Sequence, residues 1–333
     1  MCKQKDSQVI FDVIIPLGPD DISFISRVVS YINRCLVNIN NIYIITANKN
    51  ITYVGKKLSL YEQCQIIDED HLIPNLSFDR VKQLLVKYAP DRVNRTGWYF
   101  QQFLKMGFSV SSLCGKFYLS WDSDTLPLAP ISYFDEESIL YNPKSEYNPN
   151  YFVAMEKLLG IGKVVDNSFI SESMMFSSEY MRELLQAIDS SDVAGDDWVE
   201  KIMAAGDYST PLPTFSEFET YGNYCAIKHP SAYKPRHLNT FREAGFIAGR
   251  NISDRHLREM SFDLDMASFE IFHQPMFPYN MSFYLMNKKK QIKKLLKMSF
   301  SEIFSYVVNK NAKKERDRER EELMNKIKIR LPK

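Results

Sequence analysis

The sequence predicts an α/β fold in which helices flank a mostly parallel central sheet, followed by a C-terminal helical tail. Three observations lead there. Residues 9–16 are an almost unbroken apolar run, closed by Pro16-Leu17-Gly18-Pro19, as in a strand buried on both faces. Residues 20–38 then carry helical spacing in Ile22, Ile25, Val28, Val29, Ile32 and Leu36. Residues 41–46 form a second apolar run, closed by Ala47-Asn48-Lys49-Asn50, and residues 64–68 a short third. A βαβ unit with a further strand is the opening of a doubly wound sheet. Ligands of such sheets lie outside the carboxyl ends of the strands. Pro16, Thr46 and Asp68 stand at those ends, so they are candidates to line a nucleotide pocket or else ordinary loop residues.

Residues 79–88 read as a helix, and so does the aromatic segment from Gly97 to Met106. On the latter, Trp98, Gln102 and Lys105 or Met106 share one stripe. Gln101 and Gln102 are unusual inside such an apolar segment. Either they face a ligand or they face water, and Arg95 just before them either pairs with phosphate or is a surface charge.

Next comes an apolar run, residues 117–121, that ends abruptly in Asp122-Ser123-Asp124 and is followed by Pro127 and Pro130. Strand spacing puts positions i and i+2 on one face. The two acids therefore converge on one cation while Ser123 points elsewhere. Two carboxylates, with water and phosphate oxygens completing the shell, suit Mg²⁺ or Mn²⁺. The alternative is a strand-ending turn in which both acids cap backbone N–H groups.

Beyond the acids, Tyr141, Asn142, Tyr147, Asn148, Asn150 and Tyr151 crowd a mixed stretch and suit either a sugar or an irregular loop. Residues 168–178 read as a strand and 179–187 as a helix. Asp196 or Asp197 reads as an N-cap. Ser216 with Glu219 three residues on is a capping box, which starts a helix and gives Glu219 a structural reason. Glu217, in its first turn, is a candidate base, although the helix dipole also favours acids there. The last apolar run, 269–275, contains His273, which is either a satisfied structural residue or a third metal ligand.

The chain has 333 residues, 45% hydrophobic and 25% charged, which is ordinary for one large or two modest domains. Glycine is scarce at 12, and no Gly-rich phosphate loop of either common type is present. The five cysteines include no C-x-x-C pair. They fit reduced thiols in a cytosolic protein and argue against a zinc site. The first residues lack a signal-peptide stretch, and no run approaches 18 apolar residues.

Charge is uneven: residues 288–333 carry a balance of +10 and the rest of the chain −9. Nothing in the body suggests nucleic acid. The stretch 288–300 has an apolar stripe of Ile292, Leu295, Leu296 and Phe300 with lysines opposite, and residues 313–322 read as a mixed-charge helix. The stretch 288–300 can lie on an anionic membrane surface or dock on a partner or on the body itself.

Taken together, Gly97-Trp98-Tyr99-Phe100-Gln101-Gln102, Trp121-Asp122-Ser123-Asp124-Thr125 and Ser216-Glu217-Phe218-Glu219-Thr220-Tyr221-Gly222 resemble the GT-A class of nucleotide-sugar glycosyltransferases. More narrowly, they resemble a bacterial GT-A-like family of formerly unassigned function whose members often occur with surface-polysaccharide genes. The likeness spans about residues 8–280. It implies a GT-A-like, Rossmann-like domain over 1–285, with a nucleotide-binding half (8–125) and an acceptor-binding half (126–285); the basic helical tail over 286–333 lies outside the resemblance. It implies a metal-dependent transfer of a sugar from a nucleoside diphosphate to an acceptor hydroxyl, with Mn²⁺ or Mg²⁺ on Asp122, Asp124 and His273. Arg95, Trp98, Gln101, Gln102 and Ser123 join Pro16, Thr46 and Asp68 as candidate donor contacts, and Glu217 and Glu219 are candidate catalytic acids. The partners implied are the nucleotide-sugar donor and a glycan or lipid-linked glycan acceptor; the expected location is cytoplasmic, with the tail stretch 288–300 as the candidate for peripheral contact at the inner face of a membrane. Ser171-Glu172-Ser173 departs from the resemblance, since relatives tend to carry His in that strand.

Two rivals stand beside this reading. Asp122-Ser123-Asp124-Thr125 superficially resembles a haloacid-dehalogenase nucleophile motif, with Asp196 and Asp197 as late acids, although its Thr is off by one. The other rival is a catalytically silent carbohydrate-binding or scaffolding protein.

Overall fold

The apolar run at the start becomes β1 (Phe11–Pro16), buried at every residue. The helical spacing that follows is realised as α1 (Ile25–Cys35), shorter than the expected 20–38 because residues 20–24 form a turn. After β2 (Ile39–Thr46), the Ala47-Asn48 sequence does not merely close the strand. It opens α2 (Asn48–Leu58), the crossover to β3 (Cys64–Asp68). That helix has only Val54 and Leu58 buried, so its apolar periodicity is faint in the sequence. The chain continues through α3 (Phe78–Tyr88), N-capped by Ser77, and α4 (Thr96–Gly107) to β4 (Phe117–Trp121).

These belong to a computed structural model that describes residues 9–136, 138–277 and 280–281. The central sheet has the order β3-β2-β1-β4-β8. The first four strands are parallel. The fifth, β8 (Ser173–Ser177), is antiparallel to β4, with Trp121 opposite Ser173. An antiparallel edge strand on a parallel sheet is common in α/β proteins. The expected strand over 168–178 is thus half as long. Residues 168–172 leave the ladder, with Ser168 bridging to Lys144 instead.

The remaining elements build a second half around this sheet. They are β5 (Thr125–Pro127), β6 (Phe134–Asp135), β7 (Ser138–Tyr141), α5 (Pro149–Leu159), α6 (Ser178–Asp189), α7 (Trp198–Ala205), α8 (Glu217–Lys228), β9 (Tyr233–Pro235), β10 (Thr240–Phe241), α9 (Ala244–Ala248), α10 (Asp254–Met260) and β11 (Met266–Ser268). A small sheet β10-β11-β5 and another, β6-β7-β9, flank the main one. The run 269–275 is not a strand. The pairing partner of β5 is the segment just before it, β11, and Phe269 closes the ladder by donating its N–H to the Asp124 carbonyl at 2.8 Å.

The core lies between the sheet and α3, α4, α6, α7 and α8. Tyr99, Phe103, Phe108, Tyr118, Phe176 and Tyr221 are all buried to within 1%. Burying such rings dominates the apolar stabilisation of a core. A first compact unit covers residues 1–274 and a second begins at Pro275. In the second, the Asn280 N–H reaches the Met276 carbonyl. The tail 286–333, including 288–300 and 313–322, lies outside the described residues. Among those described, Cys35, Cys64, Cys114 and Cys225 are free thiols, and no helix is long and apolar enough to cross a membrane.

Candidate active site

Strand order fixes where a site can form. From β1 the chain runs outward through β2 and β3, then returns to place β4 on the other side of β1. The crevice at the carboxyl ends of β1 and β4 is the switch point where ligands of such sheets bind. Asp122-Ser123-Asp124 emerges there. The fully buried Trp121 donates its indole N–H to the Thr125 carbonyl at 2.9 Å, and the Thr125 N–H reaches the Asp122 carbonyl at 3.2 Å. The two acids therefore sit on a pinned turn rather than on the strand itself, yet both line one cavity of about 360 Å³.

Helix α4 forms the facing wall. Trp98, Gln101, Gln102 and Lys105, spaced i, i+3, i+4 and i+7, all line the cavity. Lys105 is 4% exposed. Its ammonium lies 3.1 Å from Asp122 Oδ1, 2.9 Å from Glu217 Oε1 and 4.5 Å from the centre of the Phe218 ring. Burial works against this ammonium, but Asp122 and Glu217 more than offset it and hold it above the ordinary lysine value. Gln102 is also buried, and its Oε1 accepts the Glu217 N–H at 3.2 Å. Side chains of α4 thus fix both the acidic turn and the first residue of α8.

The cavity is strongly acidic. Among the described residues seven carboxylates line it against two bases, Lys105 and Arg242. Most are paired: Asp21 with Arg250, Glu146 with Arg242 and Glu172 with Lys144, besides the two held by Lys105. Asp124 and Glu270 have no ion-pair partner among the described residues. Burial, then repulsion from Asp122, Asp21 and Glu270, push the Asp124 carboxyl up to about 7, with Arg250 pulling the other way. An acid destabilised in this way gains most from a cation beside it. Two carboxylates on one turn, with charge to spare, fit a hard divalent ion that keeps water and phosphate oxygens as its other ligands.

A second cavity, of about 650 Å³, adjoins the first at Asp21, Trp98, Gln101 and Ser123. The ends of β1, β2 and β3 line it through Pro16 to Pro19, Ala47 to Asn50, and Glu69 with Asp70. Phe78 and Phe100, stacked edge to face at 5.8 Å, supply an apolar side. Burial, then Asp70 and Asp68, push the Glu69 carboxyl up to about 7 against the pull of Lys49. A carboxyl raised in the folded state keeps a proton that the unfolded chain has lost. Glu69 therefore lowers stability as pH rises from 4.5, its ordinary value, to about 7. We expect Glu69→Gln to flatten that part of the stability-against-pH curve, measured by urea unfolding at half-unit pH steps. A curve unchanged from the parent would contradict the assignment.

The structure brings together Pro16, Trp98, Gln101, Gln102, Asp122, Ser123, Asp124 and Glu217 at these two cavities. Others fall elsewhere. Thr46 is fully buried, donating to the Leu17 carbonyl at 2.9 Å, and ties β1 to β2. Asp68 is occupied by Asn48, His71 and the Asp70 N–H, and its neighbours Glu69 and Asp70 face the cavity in its place. Arg95 is exposed and lines neither cavity.

Glu219 is 1% exposed and away from both. It accepts from the Ser168 hydroxyl, from the Phe169 N–H at 3.3 Å and from Asn223 at 3.0 Å. Gly222 lets this happen, since a Cβ there would meet the Phe169 ring at 2.1 Å. Its capping box is half formed: Ser216 accepts the Glu219 N–H, but the Glu219 carboxylate turns inward. Glu219→Gln should cost about 1–3 kcal/mol of unfolding free energy and leave ligand affinity unchanged. A loss of binding without loss of stability would contradict this.

His273 is buried against Phe246, ring centres 4.1 Å apart, and its Nδ1 has no hydrogen-bond partner among the described residues. It does not join Asp122 and Asp124: among the described residues no group of three His, Cys, Asp or Glu could hold a metal. Asp197 N-caps α7 and pairs with Arg80 at 2.6 Å beside a separate cavity, so the late acids of the dehalogenase rival are not at Asp122.

Lys105, Asp21, Glu172, Arg242 and Glu270 are site residues that the sequence reading did not single out as such. For Lys105 the signal was present, as the last member of the Trp98–Gln102 stripe. For Glu172 the signal was its departure from the resemblance; for Asp21, Arg242 and Glu270 there was none, because they come from distant segments.

Among solved structures, the chain is similar to mouse xyloside xylosyltransferase 1 in its apo form, at 11% identity and a TM-score of 0.41, covering 80% of this chain and 99% of that one. It is similar to the WbbM bifunctional glycosyltransferase (12%, 0.39), covering 79% of this chain and 46% of that one. It is also similar to the galactosyltransferase LgtC in complex with donor and acceptor sugar analogs (10%, 0.37), covering 78% of this chain and 87% of that one. No curated protein matches by sequence. A family of unknown function, DUF6492, matches residues 27–246 of the 333, a span that runs from α1 to α9 and takes in the acidic turn, and the chain belongs to that family.

Proposed function

We propose that the chain is a metal-dependent glycosyltransferase that moves a sugar from a nucleoside diphosphate to an acceptor hydroxyl, in the synthesis of a bacterial surface polysaccharide such as capsule, O-antigen or lipopolysaccharide. One observation carries the reading: an acidic turn, with one carboxyl raised to about 7, at the junction of two cavities on the carboxyl edge of the sheet. The sequence resemblance, which rests on the same acidic turn and on two further motifs, also supports it and is the sole support for the polysaccharide context.

In this reading the nucleoside lies in the larger cavity, against Phe78, Phe100 and Trp98, with Asn48, Asn50 and Glu69 as polar edge groups. The diphosphate passes Ser123, and the sugar and acceptor meet in the smaller cavity. Asp122 and Asp124 would hold Mn²⁺ or Mg²⁺, which supplies positive charge for the departing diphosphate. Lys105 keeps Asp122 in place and prevents it from swinging toward the backbone. Glu217 gives Oε1 to Lys105, which leaves Oε2 to orient an acceptor hydroxyl. Trp98 and Gln101 border both cavities and hold the donor across them. A glycan or lipid-linked glycan acceptor, a cytoplasmic location and membrane contact through 288–300 complete the proposal from sequence alone.

Isothermal titration of the full chain with UDP, GDP, dTDP and ADP, with Mn²⁺ and then with EDTA, tests it. We expect one of them to bind with the ion and to lose binding without it. No binding by any of the four would overturn the reading.

A further inference from the structure

We propose that Glu172 selects the sugar by accepting a hydrogen bond from one of its hydroxyls, an inference that rests on the transferase reading of the same site. Glu172 lies just before β8 and opposite Asp122, whose N–H donates to the Glu172 carbonyl at 3.1 Å. Its backbone is therefore locked to the acidic turn. Its side chain is 2% exposed and lines the smaller cavity.

The two carboxylate oxygens are treated unequally. Oε1 accepts from the Lys144 ammonium at 3.3 Å and from the Thr240 hydroxyl at 3.3 Å, and lies 4.0 Å from the Arg242 guanidinium. Oε2 shares the ion pair with Lys144, 3.3 Å from its nitrogen, but accepts no aligned hydrogen bond among the described residues. Buried carboxylate oxygens are normally satisfied, and an unsatisfied one is costly.

The charge around Glu172 says what kind of group completes it. Lys144 and Arg242 already offset its negative charge, so a further cation has little to gain there. A neutral donor does, and in a cavity that holds a sugar that donor is a hydroxyl. A site built to bond a hydroxyl rejects an analogue that lacks it, because the buried acceptor is then left unpaired. An epimer or deoxy sugar at that one carbon would be refused. This makes Glu172 a specificity residue, distinct from the acids at the ion and from Glu217.

The test compares the full-length parent with Glu172→Gln and with Glu172→Asp. Glu172→Asp keeps the charge that Lys144 and Arg242 need and withdraws the oxygens by one methylene. Each protein is titrated, in Mn²⁺, with UDP, GDP, dTDP and ADP and with epimeric sugar conjugates of whichever binds. Transfer is then assayed.

Both variants should bind the bare nucleotide as the parent does. If the hydroxyl belongs to the donor, affinity for the preferred nucleotide sugar falls roughly 10–100-fold, the worth of a charge-assisted hydrogen bond, and preference between epimers at one carbon collapses. If it belongs to the acceptor, donor affinity and donor hydrolysis stay at parent values while kcat/KM for transfer falls by the same factor. Parent-like epimer preference and transfer in Glu172→Asp would overturn the inference and leave the transferase reading intact. A parent that binds no nucleotide would overturn both.

Discussion

Asp124→Asn should abolish ion-dependent nucleotide binding and lower turnover roughly 10²–10³-fold, the usual loss when one charge contact to a transition state is removed, while leaving the protein at least as stable as the parent. The two halves of that expectation have one cause. Asp124 is half-buried, has no ion pair among the described residues, and is crowded by Asp122, Asp21 and Glu270. Its negative charge is a burden on the folded protein and an asset only when a cation arrives. Asparagine keeps the shape and removes the burden. Titration with the cognate nucleotide in Mn²⁺ reads the first half and urea unfolding at pH 8 the second. An Asn variant that binds nucleotide as the parent does, with the same dependence on Mn²⁺, would remove Asp124 from the site.

Lys105→Met should do the reverse and unfold the protein more readily, by roughly 3–5 kcal/mol, the cost of breaking a buried ion pair from one side. Among the described residues Lys105 is the single ammonium bridging Asp122 and Glu217, and Glu217 is itself only 5% exposed. Methionine fills the same volume and packs against Phe218, so the loss reports charge and not a cavity. Adding Glu217→Gln to Lys105→Met should restore part of the stability, because one of the two stranded charges is then gone. A Lys105→Met variant as stable as the parent in urea would show that Asp122 and Glu217 are solvated enough to need no counter-charge.

These two residues mark how far the sequence could be read. Asp124 announces itself, because an apolar strand that stops at two acids is a local pattern. Lys105 is local too, on the stripe of Trp98, Gln101 and Gln102, but a lysine on a helix ordinarily faces water. Only the packing of α8 against α4 buries it. Glu217 and Glu219 are two residues apart on one helix, and the sequence offered both as catalytic acids. The fold separates them: Glu217 faces the cavity and Lys105, and Glu219 faces Ser168 and Phe169. Likewise Asp68 is the last residue of β3 and Glu69 the first of the turn after it, and it is the turn residues Glu69 and Asp70 that line the cavity.

What the sequence determined alone was the class of fold and the position of the acidic turn, because apolar period and strand ends are properties of short segments. Tertiary structure decided the rest. It turned β8 antiparallel, folded a helix between β2 and β3, kept His273 with Phe246, and gathered Asp21, Glu172, Arg242 and Glu270 around Asp124 from four separate segments. Electrostatic interaction depends on distance through space, and the carboxyl group of Asp124 is raised by residues up to 146 positions away, which no local pattern encodes.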